Sequence, residues 1–363
     1  MLSNRLADID LLPELDRHPR VDLGLIRSNL DPLERLGREL GITLYAKRDD
    51  AQPLAMGGNK TRQLEFYLGL AAEQDSDTVL ITGAVQSNFV RSCAAAARKL
   101  GWHAIVQLED RVPKNDPIYA SSGNVLLDRL LGAEIHYFPE GENEAAADAN
   151  LDRMAEECAR RGKKPYVIHL GADSPPIGGL GYAYAAAETW RQFRELGVIP
   201  DHVVIPSGSG LTHAGFLVGA RAIGWEVPVH GICVRRAAEL QVPRIARRAE
   251  ELNAMLENRA NLTQRDILVD DTTLAPGYGR MNEAVFSAIS RTAQDEALLL
   301  DPVYSGRTMA GLISLVERGV IATGSTVAFI HTGGLPAIFA YQNDLAPAPG
   351  EAVRAHSGGA AAI

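Results

Sequence analysis

The chain has few of the residues that staple or anchor a protein. Its 363 residues include only three cysteines, Cys93, Cys158 and Cys233, far apart and with no C-x-x-C pair. That excludes a disulfide framework and leaves three reduced thiols. No stretch reaches the roughly 18 apolar residues needed to span a bilayer. The first ten residues place Arg5, Asp8 and Asp10 where a signal peptide carries its apolar core. With neither span nor leader, no membrane association is expected and the cytoplasm is the expected compartment. Positive charge is scarce too: the net charge of −9 argues against nucleic acid as the main partner. An apolar content of 46 % with 22 % charged residues excludes disorder and collagen. At roughly 100–200 residues per domain, the length suggests two domains, or one with a subdomain.

Short, β-branched apolar runs punctuate the chain: Thr78–Thr82, Ala104–Leu108, Glu134–Phe138, Tyr166–Leu170, His202–Pro206, Val229–Val234 and Thr326–His331. Most are continuous rather than alternating, as in parallel strands buried on both faces. Helical patterns lie between them, over Ser87–Leu100, Gly123–Leu131 and Gly181–Leu196, each with a glycine just past its end. Alternation of this kind predicts an α/β fold with parallel sheets flanked by helices. The loop Gly171–Gly179, with two prolines, is the best boundary signal. The charged region Arg236–Arg265 reads as a solvated helical face, and the tail Ser357–Ile363 as frayed.

Three glycine turns could carry chemistry. Met56-Gly-Gly-Asn-Lys-Thr-Arg62 opens an amphipathic helix with Leu64, Tyr67, Leu68 and Ala71 on one side. Asn59 is a candidate N-cap. Lys60 then sits in the first turn, where the macrodipole disfavours a cation and lowers the pKa of the amine. A lysine of that kind is a nucleophile. Taken alone, the motif also fits an exposed lysine after a turn. Pro206-Ser-Gly-Ser-Gly-Leu-Thr-His-Ala-Gly215 follows an apolar strand and opens a helix, a combination suited to phosphate. It is neither a P-loop nor G-x-G-x-x-G, since His213 replaces the third glycine. It also lacks the glycine of a nucleophile elbow. Phe329-Ile-His-Thr-Gly-Gly-Leu-Pro336 repeats the strand-to-turn pattern and places Thr332 at a strand's carboxyl end. Gln86-Ser-Asn-Phe89 forms a strand-to-helix turn able to hold a carboxylate. Tyr278 and Tyr304 stand in turns with little packing reason to be there. His169, His213 and His331 lack metal-ligand spacing and read as structural, so no metal is expected. A reactive lysine, a hydroxyl-rich phosphate cup and a late His-Thr-Gly-Gly turn together are what a pyridoxal phosphate site needs.

These motifs carry a resemblance. Lys47-Arg-Asp-Asp50, Gly57–Arg62, Gln86-Ser-Asn88, Ser207–Gly215, Asp301-Pro-Val-Tyr304 and His331–Gly334 resemble the pyridoxal-phosphate enzymes of the tryptophan-synthase-β fold type. Within them the chain is similar to the branch of D-cysteine desulfhydrase, L-cysteate sulfo-lyase and 1-aminocyclopropane-1-carboxylate (ACC) deaminase. The resemblance implies a two-domain fold, with residues 1–60 and 176–363 as the large cofactor-binding domain and 61–175 as the small one. Lys60 matches the lysine that holds the cofactor aldehyde. Ser209, Gly210, Leu211 and Thr212 match its phosphate loop, Asn88 the asparagine near the ring hydroxyl, and Thr332 the group facing the ring nitrogen. Asn59, Gln86 and Ser87 stand where the substrate carboxylate is held. Tyr278 and Tyr304 match two active-site tyrosines. A small amino-acid substrate and a homodimer are also implied.

Three positions depart from the pattern. Phe89 stands where relatives carry glutamine or histidine. Ser305 stands where ACC deaminases carry the glutamate that pairs with the ring nitrogen. Arg280 replaces an apolar residue and is a candidate for binding a sulfonate. A ring nitrogen without an acidic partner suits loss of a good leaving group from Cβ better than opening a cyclopropane. The implied reaction is therefore α,β-elimination: Lys60 removes the Cα proton, sulfide or sulfite leaves, a tyrosine supplies the leaving group's proton, and the product hydrolyses to pyruvate and ammonia. D-cysteine ranks first as substrate, L-cysteate second and ACC below both. A nicotinamide-dependent oxidoreductase and a non-catalytic binding protein on the same fold are the readings from other classes. The first needs a third glycine that is absent, and the intact Lys60 argues against the second.

Overall fold

All seven apolar runs form strands in the computed structural model, which describes residues 9–141, 143–171 and 174–346. Residues 1–8 and the expected frayed tail Ser357–Ile363 lie outside that range. In chain order the strands are β1 (Leu30–Pro32), β2 (Thr43–Arg48), β3 (Thr78–Ala84), β4 (His103–Glu109), β5 (Glu134–Phe138), β6 (Pro165–Ile168), β7 (His202–Ser207), β8 (Val229–Cys233), β9 (Leu268–Asp270) and β10 (Thr326–His331). They build two sheets. One has the order β1-β2-β10-β7-β8-β9, the other β5-β4-β3-β6. Every pairing is parallel except β1 against β2 at one edge. All seven residues of β3 and all five of β8 are buried, as continuous apolar runs require. Parallel neighbours need crossovers, and helices on the sheet faces supply them.

The helix boundaries follow local chemistry. Ser87 caps the helix Asn88–Leu100 by accepting a hydrogen bond from the Val90 N–H, and Gly101 ends it in the left-handed conformation. Gly197 ends the helix Leu180–Leu196 in the same way. Part of the expected boundary loop, Ala172 and Asp173, lies outside the described residues. Its far end, Ile177–Gly179, is a buried 3-10 turn leading straight into that helix.

Two expectations are corrected. The helix Lys60–Glu73 is not amphipathic: Arg62, Gln63 and Glu65 are buried along with Leu64, Tyr67, Leu68 and Ala71. It is wedged against the helices Asn88–Leu100 and Leu180–Leu196, which leave it almost no free face. Nor is the Arg236–Arg265 region simply a solvated face. The helix Ala238–Met255 buries Gln241, Ile245, Arg248, Ala249 and Leu252. Arg248 turns inward, where its guanidinium donates to the carbonyls of Ser209, Leu170 and Gly171.

One apolar cluster runs from the small sheet, at Val79, Ile81 and Val106, through Leu64 to Leu211 and Val218 on the helix that follows β7. The chain passes to the small sheet between β2 and β3 and returns between β6 and β7. Parallel sheets gather their loops at the strands' carboxyl ends. The loops after β3, β4, β7 and β10 therefore meet in one cleft. Cys93 and Cys233 are buried, Cys158 is partly buried, and all three are free.

Candidate active site

One wall of the cleft begins at Gly57, whose φ is +70°. A Cβ there would lie 1.8 Å from the Asp50 carbonyl oxygen, so only glycine fits. The next two N–H groups are fixed: Gly58 donates to the Asp49 carbonyl at 2.9 Å and Asn59 to the Thr332 carbonyl at 3.0 Å. Lys60 then enters the cleft as the first residue of its helix. Its amine donates to Gln63 Oε1 at 3.2 Å and lies 4.8 Å from the centre of the Phe89 ring. Burial penalises the charged amine and lowers its pKa to about 8. The direction is as expected, with desolvation as its cause.

Asn59 occupies the cap position without capping. Its amide instead donates to Thr212 Oγ1 at 2.9 Å, as does the Gln63 amide at 2.9 Å. The residues flanking Lys60 on its helix thus clasp the opposite loop through one hydroxyl.

That loop connects β7 to the helix Leu211–Ala222 and turns at Gly210, with φ at +94°. Arg244 and Arg248 each donate from Nε to the Ser209 carbonyl, at 2.9 and 3.1 Å. In a trans peptide the C=O and the following N–H point opposite ways, so the two arginines turn the Gly210 N–H away from themselves. The N–H groups of Ser209 and Gly210 make no hydrogen bond among the described residues. Free N–H groups at the start of a 12-residue helix form an anion cradle. Behind it, Ser207 Oγ pairs with His213 Nδ1 at 3.1 Å. Burial lowers the His213 pKa to about 4 and keeps the ring neutral.

The remaining walls come from the small sheet and from two tyrosines. Thr82, Gly83, Ala84, Ser87, Asn88 and Phe89 follow the β3 register into the cleft. Asn88 Oδ1 accepts from the Asn124 side-chain amide at 2.9 Å. The hydroxyls of Tyr278 and Tyr304 are 2.8 Å apart. Burial raises the Tyr304 pKa well above the usual phenol range, so the group stays protonated. Asp301 fixes Tyr304 by accepting from the N–H groups of Val303, Tyr304 and Ser305.

The cleft brings together Asn59, Lys60, Ser87, Asn88, Phe89, Ser209, Gly210, Thr212, Tyr278, Tyr304 and Thr332. Three sequence candidates stand outside it. Leu211 is fully buried in the core. The Gln86 amide donates to the carbonyls of Tyr119 and Ser122, at 2.6 and 3.0 Å, and holds the neighbouring turn. Arg280 is exposed, and its carbonyl accepts from Arg307 at 2.6 Å; it is not part of the cleft. Ser305 also faces away, its hydroxyl donating to Asp301 at 2.7 Å.

Sequence reasoning missed Glu109, Arg111, Glu144, Asp148, Arg235 and Arg244, all of which line the cleft. Leu108-Glu-Asp-Arg111 directly follows an apolar run, so the strand-end rule that selected the other loops would have found Glu109 and Arg111. Arg235 directly follows the run Val229–Val234 and falls under the same rule; Glu144, Asp148 and Arg244 come from helices whose placement is set only by the fold.

A desolvated amine opposite an anion cradle suits an aldehyde that carries a phosphate, and these residues therefore fit pyridoxal phosphate. Residues 21–333 match the family model described as pyridoxal-phosphate-dependent enzyme. The chain is 39 % identical over 334 residues to a protein named D-cysteine desulfhydrase from Klebsiella pneumoniae, covering 92 % of this chain and 99 % of that one. It is 38 % identical over 333 residues to a protein named 1-aminocyclopropane-1-carboxylate deaminase from Burkholderia multivorans, covering 90 % and 97 %. The crystal structure of an ACC deaminase homologue superposes with a TM-score of 0.82 at 33 % identity, covering 92 % of this chain and 98 % of that one. The chain is a member of the pyridoxal-phosphate-dependent enzyme family.

Proposed function

We propose that the chain is a lyase that removes a sulfur leaving group from Cβ of a small amino acid, D-cysteine first, giving pyruvate and ammonia. The observation that carries this reading is the pairing, in one cleft, of the desolvated Lys60 amine with the Tyr278–Tyr304 hydroxyl pair. When bound, pyridoxal phosphate takes up the electron pair released at Cα.

The chain's own groups do the rest. Ser209, Gly210 and Thr212 hold the phosphate, Lys60 the aldehyde, Asn88 the ring hydroxyl and Thr332 the ring nitrogen. Ser87 and Asn59 hold the substrate carboxylate. An amine with a pKa of about 8 is partly uncharged near neutral pH, as a base that takes the Cα proton must be. Phe89, packed against that amine, keeps water from it. The tyrosine pair supplies a proton to the departing sulfur. ACC ring opening ranks below elimination because position 305 offers the ring no carboxylate and its hydroxyl is held by Asp301. Release of sulfite from L-cysteate is the second reading, favoured by the arginines lining the cleft. The same reading takes residues 61–175 as the small domain and the enzyme as a cytoplasmic homodimer. Among the described residues, no helix is long and apolar enough to cross a membrane.

The test is a substrate panel on cofactor-loaded protein, with D- and L-cysteine, D- and L-cysteate, β-chloro-D-alanine and ACC. Pyruvate, 2-oxobutyrate, sulfide and sulfite are the readouts. Pyruvate with sulfide from D-cysteine is expected. Lys60→Ala should abolish both borohydride-sensitive visible absorbance and turnover, the latter by at least about 1,000-fold. Substantial turnover in that variant, or 2-oxobutyrate from ACC as the dominant product, would sink the assignment.

A further inference from the structure

We propose that Arg244 and Arg248 are positioning residues of the anion cradle. From behind it they aim its N–H groups at the cofactor phosphate, and they carry the occupancy of the cradle to the loop by which the chain leaves the small sheet. The proposal rests on the reading of Ser209, Gly210 and Thr212 as the phosphate loop and adds a support that lies outside that loop.

Both arginines belong to the helix Ala238–Met255, four residues apart and so on one face. Each bridges the same two carbonyls. Arg244 donates from Nε to Ser209 at 2.9 Å and from Nη2 to Leu170 at 3.1 Å. Arg248 donates from Nε to Ser209 at 3.1 Å, and from Nη2 to Leu170 at 3.1 Å and to Gly171 at 2.9 Å. Ser209 follows β7 in the large sheet, whereas Leu170 and Gly171 follow β6 in the small one. The preceding peptide is held in the same way: the Gly208 carbonyl accepts from Gln241 Nε2 at 3.2 Å and from Arg236 Nη1 at 3.4 Å. The two peptides that contain the free Ser209 and Gly210 N–H groups thus turn their carbonyls to the helix and their N–H groups away from it.

A guanidinium on a carbonyl polarises the peptide and makes its N–H a stronger donor. An anion on that N–H makes the carbonyl a stronger acceptor. Such coupling is reciprocal. The arginines raise the affinity of the cradle for a dianion, and a bound phosphate tightens their hold on Ser209. Because the guanidinium is a rigid fork, fixing Nε on Ser209 also fixes Nη2 on Leu170. The cations behind the cradle are short of negative charge. Arg236 and Arg244 share Glu144, and burial together with Arg235 and Arg244 lowers the Arg236 pKa to about 10. Burial lowers Arg244 and Arg248 as well. A phosphate dianion supplies the missing charge.

The test uses the full chain stripped of cofactor, with Arg244→Met, Arg248→Met, the double variant and Arg248→Lys as the conservative control. Each single change leaves one guanidinium on Ser209 and on Leu170, so the single variants carry the test if the double one does not fold. The first readout is the concentration of pyridoxal phosphate, and of pyridoxal without its phosphate, that restores the visible chromophore. The ratio of the two isolates what the phosphate contributes. Wild type should favour the phosphate ester. Each Met variant should shrink the ratio by about 5-fold and the double variant by up to about 100-fold, with Arg248→Lys between wild type and Arg248→Met. The second readout is hydrogen exchange over residues 166–171. Pyridoxal phosphate and inorganic phosphate should slow it in wild type, pyridoxal should not, and the Met variants should lose the slowing. A ratio that moves less than about threefold in the Met variants overturns the proposal, even if they unfold more readily, because that is a packing role alone. Exchange over 166–171 that phosphate leaves unchanged in wild type overturns it too. A wild type that takes up pyridoxal as readily as its phosphate ester refutes the phosphate-loop reading itself, and the proposal falls with it. That failure is told apart because it shows in wild type, before any variant is compared.

Discussion

Two helices start at the floor of the cleft, Lys60–Glu73 and Asn88–Leu100, and each buries an arginine near its start. Arg62 and Arg91 are equally inaccessible to water, yet their surroundings differ. Arg62 forks onto Asp49 and Glu188, with an Nη2–carboxylate distance of 2.8 Å to each. Lys47 closes the network on Glu188, and Tyr182 and Ser28 donate to Asp49 at 2.7 Å. Burial pushes the Asp49 carboxyl up, but Arg62 more than offsets it and the pKa settles at about 2. Arg91 has no such partner. It donates to Asn124 at 3.2 Å, to the Gly57 carbonyl at 3.0 Å and to the Ala55 carbonyl. Among the described residues its Nη2 has no hydrogen-bond partner, and neither has either carboxylate oxygen of the buried Asp128 close by. Burial lowers Arg91 to about 10 and raises Asp128 to about 7, the mark of ions poorly compensated. The first arginine anchors the helix that presents Lys60. The second ties the helix Asn88–Leu100 to the turn leading into Lys60, where Ala55 and Met56 both have positive φ. One cluster supplies rigidity; the other couples two walls of the site at a cost in stability.

Breaking the compensated cluster should have the largest effect. Arg62→Met leaves two buried carboxylates with one lysine and should cost about 3–5 kcal/mol. The same change at Arg91 should cost about 2 kcal/mol, because it removes hydrogen bonds to carbonyls rather than an ion pair. Urea unfolding at neutral pH measures both, and equal losses would refute the distinction. Asp128 gives a pH-dependent version. Its folded pKa lies above its unfolded value, so its contribution to stability is full below the ordinary carboxyl range and is lost as pH rises to about 7. Asp128→Asn removes that titration. The variant should match the parent at pH 4 and exceed it at pH 8 by on the order of 2–3 kcal/mol. A parent whose stability is flat between those pH values would show that Arg91, the cation beside Asp128, compensates its charge despite the missing hydrogen bond.

The same contrast marks what could be read from the sequence. Strands buried on both faces, such as β3 and β8, announce themselves as apolar runs, and β5 and β6 were legible although only partly covered. β2 was not, because Lys47 and Arg48 end it with charge. That charge is tolerable only because Glu188, 141 residues away, meets Lys47 inside the fold. β1 and β9, at three residues each, are too short to carry a period. In the site, the lysine corner was legible since glycine turns and a helix start are local features. Arg111 was missed although it follows an apolar run; Arg236 and Arg244, around Glu144, were hidden for the opposite reason, since single charged residues gain meaning only from partners far along the chain. Gln86, Leu211 and Arg280 show the converse. They sit within or beside the right motifs, but one peptide step turns a side chain from the cleft into the core or out to solvent.

The smallest effects separate the two helix starts most finely. Ser87 accepts from the Val90 N–H at 3.2 Å and caps its helix, so Ser87→Ala should cost the fold about 1 kcal/mol. Asn59 stands at the matching position but spends its side chain on Thr212. Asn59→Ala should therefore cost the fold less, about 0.5 kcal/mol, and act instead on the anion cradle that Thr212 belongs to. Two measurements distinguish the outcomes: unfolding of the apoprotein, and the pyridoxal phosphate concentration needed to restore the visible chromophore. Ser87→Ala should shift mainly the first and Asn59→Ala mainly the second, by about three- to tenfold. If Asn59→Ala loosened the fold as much as Ser87→Ala and left cofactor uptake unchanged, the clasp between the lysine helix and the phosphate loop would be ornamental. The two helix starts would then differ in geometry alone.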